Sequence, residues 1–310
     1  MEPKNYKKHD FSFDLSSLQT YTDQVGGLLL SQAIVKTRTA ELAYVQSGVK
    51  GTQSINLLSS NLVVQDGSCG WSNSGSTIFT QRQITVCDKK VNESLCPRDL
   101  NNYWAGQFLN AGSYNEEVPF AEAIADLKTK QIAKYVEQQL WQSTTGTSCF
   151  DGFSTLISTG TTGVVVASGS VAITSSNALA EVDKMVIACP NEVADRDDLI
   201  VWMSMANFRK YLINYRTSNY FSFTPEASEM MNYVVLHPGT NIKVTGIDAI
   251  TGDSMYMGPA EYTIVGVDLM SDEERLDMFY SRDFDEVRVR CNFKLGAQIA
   301  FPEYFVTNNL

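Results

Sequence analysis

The chain has 310 residues, 44% apolar and 19% charged, ordinary globular usage that excludes wholesale disorder. Lys and Arg number 24 against 35 Asp and Glu, a net charge of -11, so it is a poor candidate for wrapping nucleic acid, which needs a basic surface. Two histidines are too few for a His-built metal centre and leave little for a His-dependent triad, while the length gives room for two domains or for one with large extensions.

No run approaches the ~18 consecutive apolar residues of a membrane span, so none is expected. The start, MEPKNYKKHDFSFDLSS, carries lysines with no apolar core behind them and is not expected to be a secretory signal. The six cysteines are scattered, with no CxxC pair, and read as free thiols of a reducing compartment.

In chain order, residues 1–20 are polar and without period, an arm in need of a partner surface. Leu28, Leu29, Val35, Leu42 and Val45 predict a helix around 29–46. Ile55, Leu57, Val63 and Val64, the polar tip DGSCGWSNSGS and the alternating STIFTQRQITV read as strand, tip and strand, one long hairpin. Such a hairpin buries little of itself and wants packing against something else. A short helix carries Leu100, Tyr103, Trp104 and Phe108. Pro119, preceded by Glu116 and Glu117, then opens the best helix of the chain, with Phe120, Ile124, Leu127, Ile132, Val136 and Leu140 as its packing set and an end near Gln142. At 1.5 Å per residue it is about 36 Å long, a spine.

After a Gly/Ser/Thr turn region at 143–158 that leads into an apolar stretch, short strands are expected at Val164–Ala167 and Val171–Ile173. A helix capped by Asn177 follows, then a buried strand Leu199–Met203 and a helix capped by Ser204. The region 217–232 reads as loop. Strands are expected at Tyr233–Leu236, Ile242–Val244, Ser254–Met257 and Tyr262–Val267, and from Val287 onward by clean alternation. The fold class is α+β.

The sequence contains no phosphate loop, nucleophile elbow or zinc-protease pattern. The acidic clusters Asp195, Asp197, Asp198 and Asp272, Glu273, Glu274, Asp277, Asp283, Asp285 miss calcium-loop spacing and read as solvated faces. No cofactor, metal or catalytic residue is expected.

The order of parts is informative. STIFTQRQITVCDKKVNESLC, LWQSTTGTSCFDGFSTLI with Gly146, Gly152 and Phe153, DLIVWMSMANFRKYL and VRVRCNFKLGAQIAFPEYFVTNN together resemble the major capsid proteins of tailed double-stranded DNA bacteriophages, a fold shared with encapsulins. The resemblance covers about residues 50–308. It implies an N-terminal arm (1–52), an extended hairpin loop (53–95), a peripheral domain (96–194 and 283–310) holding a spine helix at about 119–142, and an axial domain (195–282).

It also implies a non-enzymatic shell subunit that assembles with itself into hexamers and pentamers of an icosahedral virion, built in the host bacterial cytoplasm. The shell would enclose DNA without reading its sequence. Portal, scaffolding and cement or head-fibre proteins would be further partners. Trp71, Ile78, Phe79, Ile84 and Val86 are the residues expected to bury against a neighbour, and Phe221, Phe223 and Pro225 are expected in a loop at the capsomer centre. An encapsulin-like compartment and a metal-dependent enzyme are the alternatives.

Overall fold

The computed structural model describes residues 37–67, 69–70, 75–96, 120–158, 161–218, 234–268, 276–284 and 286–308. Two sheets and one long helix carry the fold. The first sheet is organised by one strand, β12 (Glu286–Ile299). Along one edge it pairs antiparallel with β4 (Cys87–Leu95), from Leu295↔Cys87 to Val287↔Leu95. Along its other edge it pairs with β11 (Leu276–Ser281) and then β10 (Thr263–Val267), and β1 (Tyr44–Gln46) joins β10 in parallel. The alternation read from Val287 to Leu295 works as expected. Val287, Val289, Cys291, Phe293 and Leu295 point into the core, while charged or polar neighbours point out.

The long helix α2 (Phe120–Gln142) packs on that inner face through Ile124, Ile132, Val136 and Leu140. Leu127 does not join them; it is 54% exposed. It lies two and a half turns from Val136, hence on the opposite side of the helix. The side chain of Phe120 lies outside the described residues.

The second sheet runs β5 (Val165–Val166), β13 (Val306–Thr307), β9 (Met255–Pro259), β6 (Leu199–Ser204), β8 (Lys243–Ile247) and β7 (Val234–Leu236). Its central strand β6 is buried on both faces, which is why LIVWM runs apolar without a break before Ser204. Leu199, Val201 and Met203 face the helices α4 (Ala178–Ile187) and α5 (Met205–Ser218), where Val182, Met185, Phe208 and Tyr211 complete a core. Ile200 and Trp202 face the other way and enter the core of the first sheet. There Trp141 of α2 touches Trp202, Tyr256 and Phe153, with ring centroids 5.9, 5.5 and 5.5 Å away. Phe153 belongs to the single turn α3 (Phe153–Leu156) that follows the Gly/Thr-rich turn.

Several details differ from the sequence reading. The predicted helix at 29–46 shrinks, within the described residues, to α1 (Arg38–Leu42), and Val45 is strand, because pairing with β10 supplies its backbone partners. Val171–Ile173 forms no strand. Strand β11 went unpredicted in an acidic stretch, and β10 and β11 belong to the sheet of the long helix rather than to an axial unit. Asn177 precedes α4 but turns backward, accepting from the Thr174 amide at 2.7 Å; the helix start is served by Asn214, which accepts from the Leu179 amide at 3.0 Å. Ser204 does cap α5, accepting from the Asn207 amide at 3.3 Å. Cys87 and Cys149 are joined in a disulfide with Cα atoms 5.9 Å apart, against the expectation of six free thiols, while Cys69, Cys96, Cys189 and Cys291 form none.

A buried carboxyl ties α1 to the long helix. Glu137 accepts from the Thr39 amide (3.3 Å) and hydroxyl, and Trp141 Nε1 donates to the same hydroxyl at 2.7 Å. Burial pushes the Glu137 carboxyl above its ordinary value, and the Thr39 hydrogen bonds oppose this only in part. A raised carboxyl pKa favours the folded state at low pH and withdraws that support as pH rises through the raised value. The difference in unfolding free energy between the wild type and Glu137→Gln should therefore shift against the wild type as pH climbs from about 4.5 toward neutrality, read by urea denaturation at a series of pH values. Trp141→Ala should cost about 3–5 kcal/mol in the same assay, because it empties the junction of the two sheets.

Candidate assembly surfaces

The hairpin is built from β2 (Thr52–Leu62) and β3 (Gly75–Thr85), paired in register from Thr52↔Thr85 to Leu62↔Gly75. It ends there. Residues 87–95, expected to continue it, leave as β4 and pair with β12, so the return strand enters the first sheet directly. The root lies on the outer face of that sheet, opposite the long helix. Ile84 and Val86 pack there with Val49, Leu57, Ile264 and Ala300.

What lets them sit so close is a pair of glycines. Gly266 of β10 and Gly296 of β12 are partners across the ladder. A Cβ on Gly266 would stand 2.7 Å from Ile84 Cδ1, and one on Gly296 would stand 3.0 Å from Val86 Cγ1 and run into the Thr85 carbonyl. Polar contacts fix the same place. Arg82 Nη1 donates to the Ile299 carbonyl and Gln298 Nε2 to the Gln83 carbonyl, both at 2.8 Å, and the Val86 amide donates to Gly51 O at 3.0 Å. Burial lowers the Arg82 guanidinium from its usual value, and Glu303 opposes that shift.

Beyond the root the hairpin has two faces set by the register. On one, the pairs Thr52·Thr85, Asn56·Gln81 and Ser60·Thr77 are bridged by side-chain hydrogen bonds of 3.2, 2.9 and 3.2 Å. That polar ladder is broken by one apolar pair, Leu58 and Phe79, exposed by 60% and 78%. On the other, Ile84, Ile55 and Leu57 are covered by the chain itself, and Ile78 beyond them is exposed. Val63 and Val64 at the end of β2 are exposed as well.

The expected interface residues therefore divide. Ile78 and Phe79 are open to a neighbour. Ile84 and Val86 are not, because the glycine seat has already buried them in their own chain. Trp71 lies outside the described residues, as do Phe221, Phe223 and Pro225. The sequence reading missed Leu58, although its alternation with Asn56 and Ser60 marks it as lying on the polar face.

The first acidic cluster is partly structural. Arg196 grips Asp198 with two nitrogens (2.7 and 2.9 Å), reaches Glu261 at 2.6 Å and lies 4.8 Å over the Tyr262 ring. The paired guanidinium holds the Asp198 carboxyl below its ordinary value. Among the described residues no group of three or more His, Cys, Asp or Glu converges to hold a metal ion. None of the helices found is long and apolar enough to cross a membrane, again among the described residues.

No protein-family model matches the chain, and no curated protein matches it. Solved structures do match in fold. A chain from the satellite phage P4 procapsid structure that includes the size determination protein superposes with a TM-score of 0.57 at 11% identity, over 90% of this chain and 89% of that one. The capsid of the empty GTA particle gives 0.57 at 11% identity, over 87% and 88%. The virus-like particle from Pyrococcus furiosus gives 0.53 at 13%, over 93% and 98%. The chain thus has the capsid fold of tailed phages, which an archaeal virus-like particle shares.

Gly266→Val should unseat the hairpin root. Overpacking of this kind costs about 1–3 kcal/mol, measurable by urea denaturation, and should expose the 52–85 strands to faster amide hydrogen exchange while the second sheet keeps its protection.

Proposed function

We propose that this chain is the major capsid subunit of a tailed phage, closing with many copies of itself into an icosahedral shell of hexamers and pentamers around double-stranded DNA. The observation that carries this is the hairpin. Its root is locked into the chain by a glycine seat, and its outer half leaves Leu58, Ile78 and Phe79 exposed. An exposed two-stranded ribbon of this length does not support itself in water; it is built to lie on something. The fold of the capsid structures above supports that something being a neighbouring copy. Association on this plan typically buries about 2,000–5,000 Å² per contact.

The role is structural, and no catalytic step is assigned. The net charge of -11 suits a container wall that does not hold DNA tightly. Portal, scaffolding and cement or head-fibre proteins are the partners such a shell would take. Of the arm expected at 1–52, residues 38–46 are held by the long helix and β10 of their own chain, so the stretch ahead of them is proposed to reach another copy, as is the loop near Phe221, Phe223 and Pro225 at the capsomer centre.

Expression of the chain alone, followed by light scattering and negative-stain electron microscopy, tests this reading. Closed shells, tubes or rings of five or six subunits are the expected products, and a small uniform particle would point to a cellular compartment instead of a phage head. A chain that stays at 34.4 kDa at high concentration, even with crowding agents, would sink the proposal. The double variant Ile78→Thr, Phe79→Ser should keep the monomer's stability within about 0.5 kcal/mol, because both sites are exposed, and yet abolish assembly.

A further inference from the structure

We propose that Cys87 and Cys149 form a clasp that is open in the cell and closes only after the particle has left it. This rests on the shell reading above, which assembles the subunit in a reducing cytoplasm and releases it into an oxidising medium. Cys87 is the first residue of β4, next to Val86 of the hairpin root, and is buried. Cys149 lies in the exposed turn that follows the long helix. Their Cα separation of 5.9 Å is that of an ordinary disulfide, and 62 positions of sequence separate them. The bond therefore joins two points far apart in the chain, the strand that roots the hairpin and the end of the helix beneath the sheet.

The surroundings suit the chemistry. The Cys149 amide donates to Cys87 Sγ at 3.2 Å, and Ser148 Oγ lies 3.7 Å from the same sulfur. The Lys89 ammonium sits 3.1 Å from that hydroxyl. These donors lie where negative charge on the Cys87 sulfur would be met during exchange. A small disulfide such as oxidised glutathione meets Cys149 first, because it is the accessible sulfur. The Cys149 thiolate attacks, forms a mixed disulfide and expels one small thiolate. Cys87 thiolate then attacks the Cys149 sulfur, closes the protein disulfide and expels the second. The two cysteine thiols lose two protons and two electrons, and the small disulfide takes them up as two small thiols.

The consequence is a redox-gated root. With the clasp open, the junction of β3 and β4 is held by packing and hydrogen bonds alone, and the hairpin can settle on its neighbour. With the clasp closed, the junction is fixed covalently to the helix end.

The test uses the full chain in producing cells. In one sample thiols are trapped by acid quenching of the cells and blocked with N-ethylmaleimide in denaturant, so that buried Cys87 also reacts; the other is purified, exposed to oxidised glutathione and then blocked in the same way. Both are mapped by non-reducing peptide mass spectrometry. Both cysteines should be alkylated in cells, and a Cys87–Cys149 peptide should dominate after oxidation. Reductant should then lower the thermal midpoint of the oxidised sample by at least about 4 °C, and should not move that of Cys149→Ser, an exposed and tolerated substitution. A link already closed in cells, two sulfurs that stay alkylatable after oxidation, a link to Cys69 or Cys96, or a midpoint indifferent to reductant would each overturn the proposal. Light scattering on the same samples reports assembly separately. Loss of shells with a normal cross-link map would count against the capsid reading and not against the clasp.

Discussion

The whole arrangement depends on the absence of two side chains. Gly266 and Gly296 face each other on the outer side of the first sheet, and the hairpin root lies directly on them. A bare sheet surface is the one place where a strand can cross at contact distance, since any side chain there would hold it several ångströms off. The seat decides where β3 ends and β4 begins, and hence that the return strand becomes part of the sheet. It also decides which hairpin residues remain for others. On one face Ile84, Ile55 and Leu57 are spent inside the chain, and Ile78 farther out is left over.

The second sheet reaches the first through aromatic packing. Trp141 reports to both, and its indole nitrogen is satisfied by the same Thr39 hydroxyl that holds Glu137. The other helices are fastened by polar groups of similar economy. His237, buried after β7, hydrogen-bonds Tyr211 of α5 at 2.9 Å and Asp183 of α4 at 2.8 Å, so one of the two histidines links three elements. Buried polar groups placed this way fix a unique geometry because each alternative would leave a donor or acceptor unmatched.

Much of this was legible in the residues, for identifiable reasons. The strand Leu199–Ser204, the long helix and the alternation of β12 all bury wide apolar surface, so their periods stand out. The hairpin's strands were legible too, from alternation and a polar tip. Its division into buried and exposed halves was not, because Ile84 and Ile78 are chemically identical and only the glycines on distant strands separate them. β11 was hidden because LDMFYS sits beside acidic residues and gains its strand partners from β12, a non-local contact with no local signature. The Cys87–Cys149 pair was invisible for the same reason: 62 positions separate residues that the fold brings together.

The shared core of the two sheets has a mechanical side. Ile200, Trp202 and Tyr256 from one sheet, Phe305 just before β13, and Val265, Phe293 and Leu295 from the other sheet belong to one continuous cluster with the long helix. Interlocked side chains of that kind do not slide past one another without losing their contacts together. A body packed in this way resists internal sliding, and in an assembly of copies the freedom would lie in the slender parts that leave it. In an assembly of many such blocks, curvature would be set at the joints, as in masonry whose stones keep their shape while the angle between courses varies.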